Sequence, residues 1–137
     1  MLGALLIPIW SGSGALGFSH LSQWLGASLT MLGGLAAILG LVNLGDALTP
    51  YPHPRDGSAL KQRGIYGWMR HPIYCGMMVG TVGWAIWWQS GPGLAYAAIV
   101  LLFFDRKAAR EERWLRNHYP EYARYARSVK RFFPGIY

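Results

Sequence analysis

The first third of this 137-residue sequence lacks charged side chains altogether. No Asp, Glu, Lys or Arg occurs in residues 1–45, and the first such residue is Asp46. Charged residues make up 14% of the whole chain, against roughly 25% in ordinary soluble domains. A soluble domain of this size exposes too much of its surface to keep so long an uncharged stretch out of water. The sequence therefore predicts an integral membrane protein.

Cysteine and metal-ligand patterns are also scarce. Cys75 is the single cysteine, which excludes an intramolecular disulfide. It is interpreted either as a small apolar residue in a helix or as a thiol activated by a helix start. The four histidines have no zinc-ligand spacing, so no metal is predicted. No basic segment precedes the first apolar run, so a cleaved signal peptide is not expected.

Four apolar runs predict an all-α fold with about four transmembrane helices in a single domain, residues 1–137. The runs lie at about 2–17, 25–44, 73–88 and 93–104, and the last is predicted to continue as a charged helix. A span needs about 20 residues, and the first two runs come close to that length. Those two runs make up residues 1–45 and are separated by the polar patch at 19–23.

The basic residues predict the orientation in the membrane. All 13 Lys and Arg lie within residues 55–70 and 106–131, which four spans would place on the same side. The positive-inside rule makes that side cytoplasmic, together with both termini. The net charge of +7 predicts attraction to anionic lipid, and no nucleic-acid-binding motif accompanies it. Aromatic and basic residues at helical spacing over 114–132 predict a cytoplasmic amphipathic segment of two helices, broken near Pro120.

The polar motif at residues 70–76 reads Arg-His-Pro-Ile-Tyr-Cys-Gly. Proline is favoured in the first turn of a helix, so Pro72 is predicted to open the third span with His71 as its N-cap. Glycines at Gly76, Gly80 and Gly83 follow along that helix. They predict either a groove for helix packing or a groove that a ligand can enter.

Glu111 and Glu112 form the second polar motif. Adjacent residues on a helix point about 100° apart, so the two carboxylates cannot face each other. One can point into a site while the other pairs with a neighbour. The alternative is an ordinary salt-bridged helix surface, because Lys107 lies four residues before Glu111 and Arg116 four residues after Glu112.

Taken together, the two motifs and the apolar hairpin between them resemble the isoprenylcysteine carboxyl methyltransferase and phospholipid methyltransferase group of integral membrane enzymes. The first motif is Gly64-Ile65-Tyr66 followed by residues 70–76. The second is Glu111-Glu112-x2-Leu115-x4-Pro120-x-Tyr122-x2-Tyr125-x3-Val129-x4-Pro134. The resemblance covers about residues 50–134.

The resemblance implies S-adenosylmethionine as the cofactor, bound at the cytoplasmic face by a core of residues 46–137. The expected cofactor contacts are Ala59, Leu60, Lys61, Tyr66, Arg70, His71, Pro72, Ile73, Tyr74, Glu111 and Glu112. The family has Leu-Val where this chain has Leu60-Lys61. A basic residue before the acidic pair is expected to bind substrate, which corresponds to Lys107 with Arg106 and Arg110 beside it. Methyl transfer depends on alignment, so no covalent catalytic residue is assigned.

Several alternatives stay open on the sequence. The methyl acceptor is a lipophilic or lipid-modified molecule, with an isoprenylcysteine carboxylate the most similar and a phospholipid amine or small thiol as alternatives. Membrane lipid is an expected partner, and the oligomeric state is open. An NADPH-dependent sterol-type reductase would be expected to read His-x-Asn-Tyr in place of residues 71–74. A non-enzymatic membrane protein is the third class, and the joint presence of Tyr66, His71, Tyr74 and Glu111 argues against it.

Overall fold

The computed structural model describes residues 19–45 and 60–136. These residues form four α-helices, α1 (His20–Leu44), α2 (Pro72–Trp87), α3 (Gly91–His118) and α4 (Tyr122–Ser128), and a short 3-10 helix at Gly64–Gly67. No β-strand occurs within the described ranges, where an isolated parallel bridge joins Met69 to Lys130. The predicted all-α class is therefore confirmed for this part of the chain.

The described residues divide into two compact units. Unit 1 combines α1 up to Leu35 with Gly76–Phe104. Unit 2 combines the described residues of Ala36–Cys75 with those of Asp105–Tyr137. Both predicted polar motifs lie in unit 2, apart from Gly76.

Among the described helices, α1 is the one that is long and apolar enough to cross a membrane. Its large apolar side chains are mostly exposed, including Trp24, Met31 and Val42. A helix that turns such side chains outward suits a lipid environment better than water. The first predicted span, residues 2–17, lies outside the described residues, and the number of membrane crossings stays a prediction.

The helix α1 begins earlier than the sequence predicted. It starts at His20, so most of the polar patch at 19–23 is helical and the helix begins five residues before the apolar run at about 25–44. The Ser19 carbonyl accepts hydrogen bonds from the Ser22 and Gln23 amides at 3.0 and 3.4 Å and from the Ser22 hydroxyl at 2.7 Å. A first helical turn accommodates polar residues because its N–H groups lack partners within the helix.

Glycines on both α1 and α2 allow the two helix backbones to approach closely in unit 1. A Cβ atom at Gly33 would lie 2.6 Å from the Gly76 carbonyl oxygen, and one at Gly83 would lie 2.5 Å from the Thr30 nitrogen. Both distances are shorter than van der Waals contact, so side chains are excluded here. The glycines of α2 therefore pack against α1, which favours the packing interpretation over a groove for a ligand.

The turn between α2 and α3 is closed by backbone hydrogen bonds and a side-chain cap. Gln89 adopts a left-handed conformation with φ of 51°. The Ser90 and Gln89 amides donate to the carbonyls of Ala85 and Ile86 at 3.0 and 3.1 Å, which is the Schellman pattern. The Ser90 hydroxyl accepts from the Gly93 amide at 3.0 Å and so caps α3.

The predicted continuation of the fourth apolar run as a charged helix is confirmed. The helix α3 runs unbroken for 28 residues from Gly91 to His118. The break predicted near Pro120 is also present, since α3 ends at His118 and α4 begins at Tyr122. Whether α4 lies on a membrane surface stays a prediction.

Candidate functional site

A network of charged side chains in unit 2 has Glu112 at its centre. Glu112 is buried, with 2% of the residue exposed. Its Oε1 accepts hydrogen bonds from Arg70 Nε and Nη2 at 3.1 and 2.9 Å, from His71 Nε2 at 3.1 Å and from Arg131 Nε at 3.1 Å. Its Oε2 accepts from Arg131 Nη2 at 3.1 Å. Both carboxylate oxygens therefore have protein partners.

These partners keep Glu112 ionised. Burial opposes ionisation, but hydrogen bonds from His71 and Arg131 and the charge of Arg70 outweigh it and hold the pKa of Glu112 at about 2, below the ordinary 4.5. An ionised carboxylate can only accept, so His71 Nε2 carries the hydrogen in their contact. Removing one partner of such a buried group leaves the others uncompensated, so Glu112 stabilises this part of the chain. Its predicted contact with the cofactor stays a prediction.

Arg70 connects Glu112 to the C-terminal part of the chain. Its Nη1 donates to the carbonyl oxygens of Ala126 and Val129 at 2.7 and 2.6 Å. These carbonyls lie at the end of α4, where helical carbonyl groups lack partners within the helix. Arg70 was predicted as a cofactor contact, and that role stays a prediction. In the structure its guanidinium group donates to these backbone carbonyl groups.

Arg131 and Asp105 belong to the network although the sequence interpretation did not include them. Arg131 Nη1 donates to Asp105 Oδ1 at 3.2 Å. The backbone amides of Arg70 and His71 donate to the carbonyls of Lys130 and Arg131 at 2.9 and 3.0 Å. A buried carboxylate requires cationic partners. The sequence contains many arginines, however, and does not indicate which of them supplies the charge.

His71 is held on several sides. Its ring stacks on Tyr74 with centroids 5.4 Å apart and an interplanar angle of 7°, and Phe132 lies 6.0 Å away. Its carbonyl accepts from the Cys75 amide at 2.9 Å, which confirms the predicted cap of the helix that Pro72 opens. Cys75 is buried, which favours its interpretation as a small packing residue.

Glu111 has a very different environment from its neighbour. It is half-buried, and Glu111 Oε2 accepts a hydrogen bond from the Tyr74 hydroxyl at 2.9 Å. Within the described residues it forms no ion pair, so the pairing with Lys107 that a salt-bridged surface would require is not present. Glu111 is therefore the member of the pair with hydrogen-bonding capacity left for a ligand.

Tyr66 lies within the electrostatic influence of Glu111. Burial, and then the Glu111 charge, raise the pKa of Tyr66 to about 12, so its hydroxyl stays protonated. That hydroxyl donates a long hydrogen bond of 3.4 Å to the Gly40 carbonyl. The Tyr66 carbonyl accepts from the Tyr125 hydroxyl at 2.6 Å, which fixes the 3-10 helix against α4.

The predicted substrate-binding cations differ in their placement. Lys107 Nζ lies 5.2 Å from the centre of the Tyr74 ring, which is within the range of a cation–π contact. All three residues, Arg106, Lys107 and Arg110, are exposed. Lys107 is thus the predicted basic residue that the structure places beside the Tyr74 ring.

The remaining predicted residues lie on the borders of this site. Pro72 and Ile73 pack against Gly40 of α1, where a Cβ atom would lie 2.7 Å from the Ile73 side chain. Leu60 and Lys61 line a cleft of about 450 Å³ together with Asn43, Gln62 and Arg63. Ala59 lies outside the described residues. The cofactor-binding role of all these residues stays a prediction.

The fold and site define a class of helical proteins with an apolar helix long enough to cross a membrane and a cluster of polar side chains around the start of α2. Within this class, the chain belongs to the phospholipid methyltransferase family, whose sequence pattern matches residues 21–122.

Three curated relatives illustrate the similarity. The chain is 33% identical over 115 residues to the cobalt-zinc-cadmium resistance protein CzcN of Cupriavidus metallidurans, covering 82% of this chain and 52% of that protein. It is 34% identical over 79 residues to protein-S-isoprenylcysteine O-methyltransferase A of Arabidopsis thaliana, covering 56% of this chain and 40% of that protein. It is 28% identical over 118 residues to a probable protein-S-isoprenylcysteine O-methyltransferase of Oryza sativa subsp. indica, covering 83% and 62%.

The chain therefore spans about half the length of the first curated relatives that it matches. In the part of the chain that the structure describes, no group of three or more His, Cys, Asp and Glu residues is placed to hold a metal ion.

Proposed function

We propose that this protein is a membrane-embedded methyltransferase that uses S-adenosylmethionine and methylates a lipophilic acceptor. The observation that carries the proposal is the difference in hydrogen-bond and ion-pair partners between Glu111 and Glu112. Glu112 pairs with Arg70 and Arg131 and accepts from the His71 N–H, whereas Glu111 accepts one hydrogen bond from Tyr74 and has no cation partner among the described residues. A half-buried carboxylate without a cation is suited to a cationic ligand.

The residues of the site fit the chemical groups of S-adenosylmethionine. Glu111 can accept a charge-assisted hydrogen bond from the ammonium group or from a ribose hydroxyl. The rings of Tyr66 and Tyr74 can stack on the adenine or contact the sulfonium through their π faces. The start of α2 presents the positive end of a 16-residue helix toward a carboxylate.

The other predicted contacts, together with Arg131, take a supporting part in this proposal. Glu112, Arg70 and Arg131 position the start of α2, and the stacked His71 ring holds the Tyr74 ring. Pro72 and Ile73 anchor the same segment to α1. These residues preorganise the site, so a loss of any of them acts on binding through Tyr74 and Glu111.

The sulfonium of the cofactor supplies an activated methyl group. The chain then has to align the acceptor with that methyl group and exclude water, which requires no protein nucleophile. In this proposal Lys107 binds an anionic acceptor group such as a carboxylate, and the contact of its ammonium group with the Tyr74 ring supports this role. This favours an isoprenylcysteine-like carboxylate, with a phospholipid amine or a small thiol as the alternatives.

We infer that the acceptor reaches the site from the bilayer. Supporting this, apolar side chains are exposed along α1 and along the apolar part of α3, where they include Ile99, Leu102 and Phe103. We propose four spans with the site and both termini cytoplasmic, because the basic residues cluster beside the site.

The test is equilibrium binding of S-adenosylmethionine to detergent-purified protein by calorimetry. We expect micromolar affinity for the wild type and a loss of at least about tenfold in Glu111→Gln, since the ammonium or ribose partner loses its charged acceptor. Glu121→Gln is the matched control, because Glu121 lies in the turn before α4 and makes no side-chain cap. Absence of binding to folded wild type would exclude the proposal, and NADPH would then be tested for the reductase alternative.

A further inference from the structure

Tyr122 carries a buried hydroxyl group that the proposed site does not yet use. It is the first residue of α4 and is 1% exposed. Its ring packs with Tyr125 and Val129 in the core of unit 2, and the centroids of the two tyrosine rings lie 5.9 Å apart. Among the residues that the structure describes, the Tyr122 hydroxyl has no hydrogen-bond partner.

The hydroxyl groups of the neighbouring tyrosines, in contrast, each have a hydrogen-bond acceptor. The hydroxyl of Tyr125 donates to the Tyr66 carbonyl at 2.6 Å, and that of Tyr74 donates to Glu111 at 2.9 Å. Tyr66 donates to the Gly40 carbonyl. A buried hydroxyl without a partner is costly, and in native proteins such a group generally has a water or a ligand as its partner.

Packing places Tyr122 beside residues of the candidate site. Leu115, one turn of α3 after Glu111, packs against the Tyr122 cluster, and Arg70 donates to the carbonyl of Ala126, one turn of α4 after Tyr122. Burial raises the pKa of Tyr122; the Glu112 charge raises it further, the Arg70 charge lowers it, and Glu111 also contributes to raising it. The hydroxyl therefore stays protonated and can act as a hydrogen-bond donor. The Glu112 carboxylate accepts from Arg70, His71 and Arg131 and not from this hydroxyl.

We propose that the Tyr122 hydroxyl donates a hydrogen bond to S-adenosylmethionine bound at Glu111, as a binding residue from α4. The inference rests on the proposed function and adds a contact to it. The cofactor has acceptors for such a donor in its carboxylate and ribose oxygens, while Glu111 is suited to its ammonium group. The bound cofactor would thereby satisfy a hydroxyl that the protein alone leaves unpaired.

The experiment compares Tyr122→Phe with Tyr125→Phe, two changes that each remove one buried hydroxyl from α4. Affinity for S-adenosylmethionine and for S-adenosylhomocysteine is measured by calorimetry, and the thermal unfolding midpoint is measured without ligand. We expect Tyr122→Phe to weaken both ligands about tenfold and to leave the unliganded midpoint unchanged or higher. Tyr125→Phe should lower the unliganded midpoint, because it loses the hydrogen bond to Tyr66.

Two results would overturn the inference while leaving the proposed function intact. One is wild-type affinity in Tyr122→Phe, which would mean that the hydroxyl does not contact the cofactor. The other is a midpoint in Tyr122→Phe that falls as far as in Tyr125→Phe, which would assign the hydroxyl to a protein group or a fixed water. If the wild-type protein binds neither ligand, the proposed function itself fails, and the inference fails with it.

Discussion

Replacing Glu112 by glutamine is expected to destabilise the protein strongly, whereas the same change at Glu111 is expected to spare stability. The carboxylate of Glu112 compensates Arg70, Arg131 and the His71 N–H at a residue that is 2% exposed. The glutamine amide has one oxygen to accept hydrogen bonds where the carboxylate has two. Its NH2 group would point at the N–H donors of the arginines. The arginines would then be left buried without their counter-charge.

The expected loss at Glu112 is about 3–5 kcal/mol, the usual range for breaking a buried charged network on one side. At Glu111 the glutamine oxygen can still accept from the Tyr74 hydroxyl, so the expected loss is at most about 1 kcal/mol. For a chain of this size the difference corresponds to a gap of roughly 10 °C between the two unfolding midpoints.

The assay is thermal unfolding in one detergent at neutral pH, followed by intrinsic tryptophan fluorescence, with ligand binding measured on the same samples. Glu111→Gln should fold like the wild type and lose cofactor binding. Glu112→Gln should unfold well below the wild type. Equal midpoints for the two variants, or a lower midpoint for Glu111→Gln, would refute the assignment of the structural role to Glu112.

Three further predictions concern stability. Because the pKa of Glu112 is held at about 2 rather than 4.5, its contribution of about 3 kcal/mol should be complete above pH 4.5 and disappear as the pH falls toward 2, as measured by denaturant unfolding across that range. Gly64→Ala should lower the free energy of unfolding by at least about 1–2 kcal/mol, as derived from the shift in the unfolding midpoint, because φ is 63° and the new Cβ would overlap the Asn43 side chain. Gly33→Ala should cost about 1–3 kcal/mol in the same assay, because its Cβ would lie 2.6 Å from the Gly76 carbonyl.

Each of these predictions has a control. In Glu112→Gln the loss of stability between pH 4.5 and 2 should be smaller, and an unchanged pH profile would contradict the first prediction. Gly67→Ala, where the nearest atom to a new Cβ is 3.4 Å away, should be tolerated, unlike Gly64→Ala. Gly34→Ala, where no atom lies within 4 Å, should leave stability unchanged or higher, unlike its neighbour Gly33→Ala. Equal effects within either glycine pair would contradict the steric reasoning.

Local signals in the sequence were sufficient for much of the helical framework. Proline at the first turn placed the start of α2 at residue 72, and the break near Pro120 separated α3 from α4. The apolar run at about 25–44 did not indicate that α1 begins at His20, because a first helical turn accommodates the polar residues that precede the run. Only the structure distinguished helix packing from a ligand groove for the α2 glycines, because the spacing of glycines does not indicate what lies beside them.

The site shows the same division between local and distant information. The sequence required that Glu111 and Glu112 point in different directions, because adjacent helical residues are about 100° apart. It did not indicate which one would be buried. That depended on the position of Arg131 and on the backbone pairing of residues 69–71 with 130–131, which are contacts between distant parts of the chain.

The sequence by itself determined the helices, their apolar character and the polar residues around the start of α2, because periodicity, proline and charge act over a few neighbouring positions. Only the tertiary structure decided that two arginines and the His71 N–H surround Glu112, that Glu111 accepts a hydrogen bond from Tyr74, and that the Tyr122 hydroxyl has no protein partner in the described residues. Those outcomes depend on which arginine and which ring come within hydrogen-bonding distance across tens of residues. The physical reason is that a hydrogen bond or an ion pair is set by distance in space, which local sequence patterns do not encode.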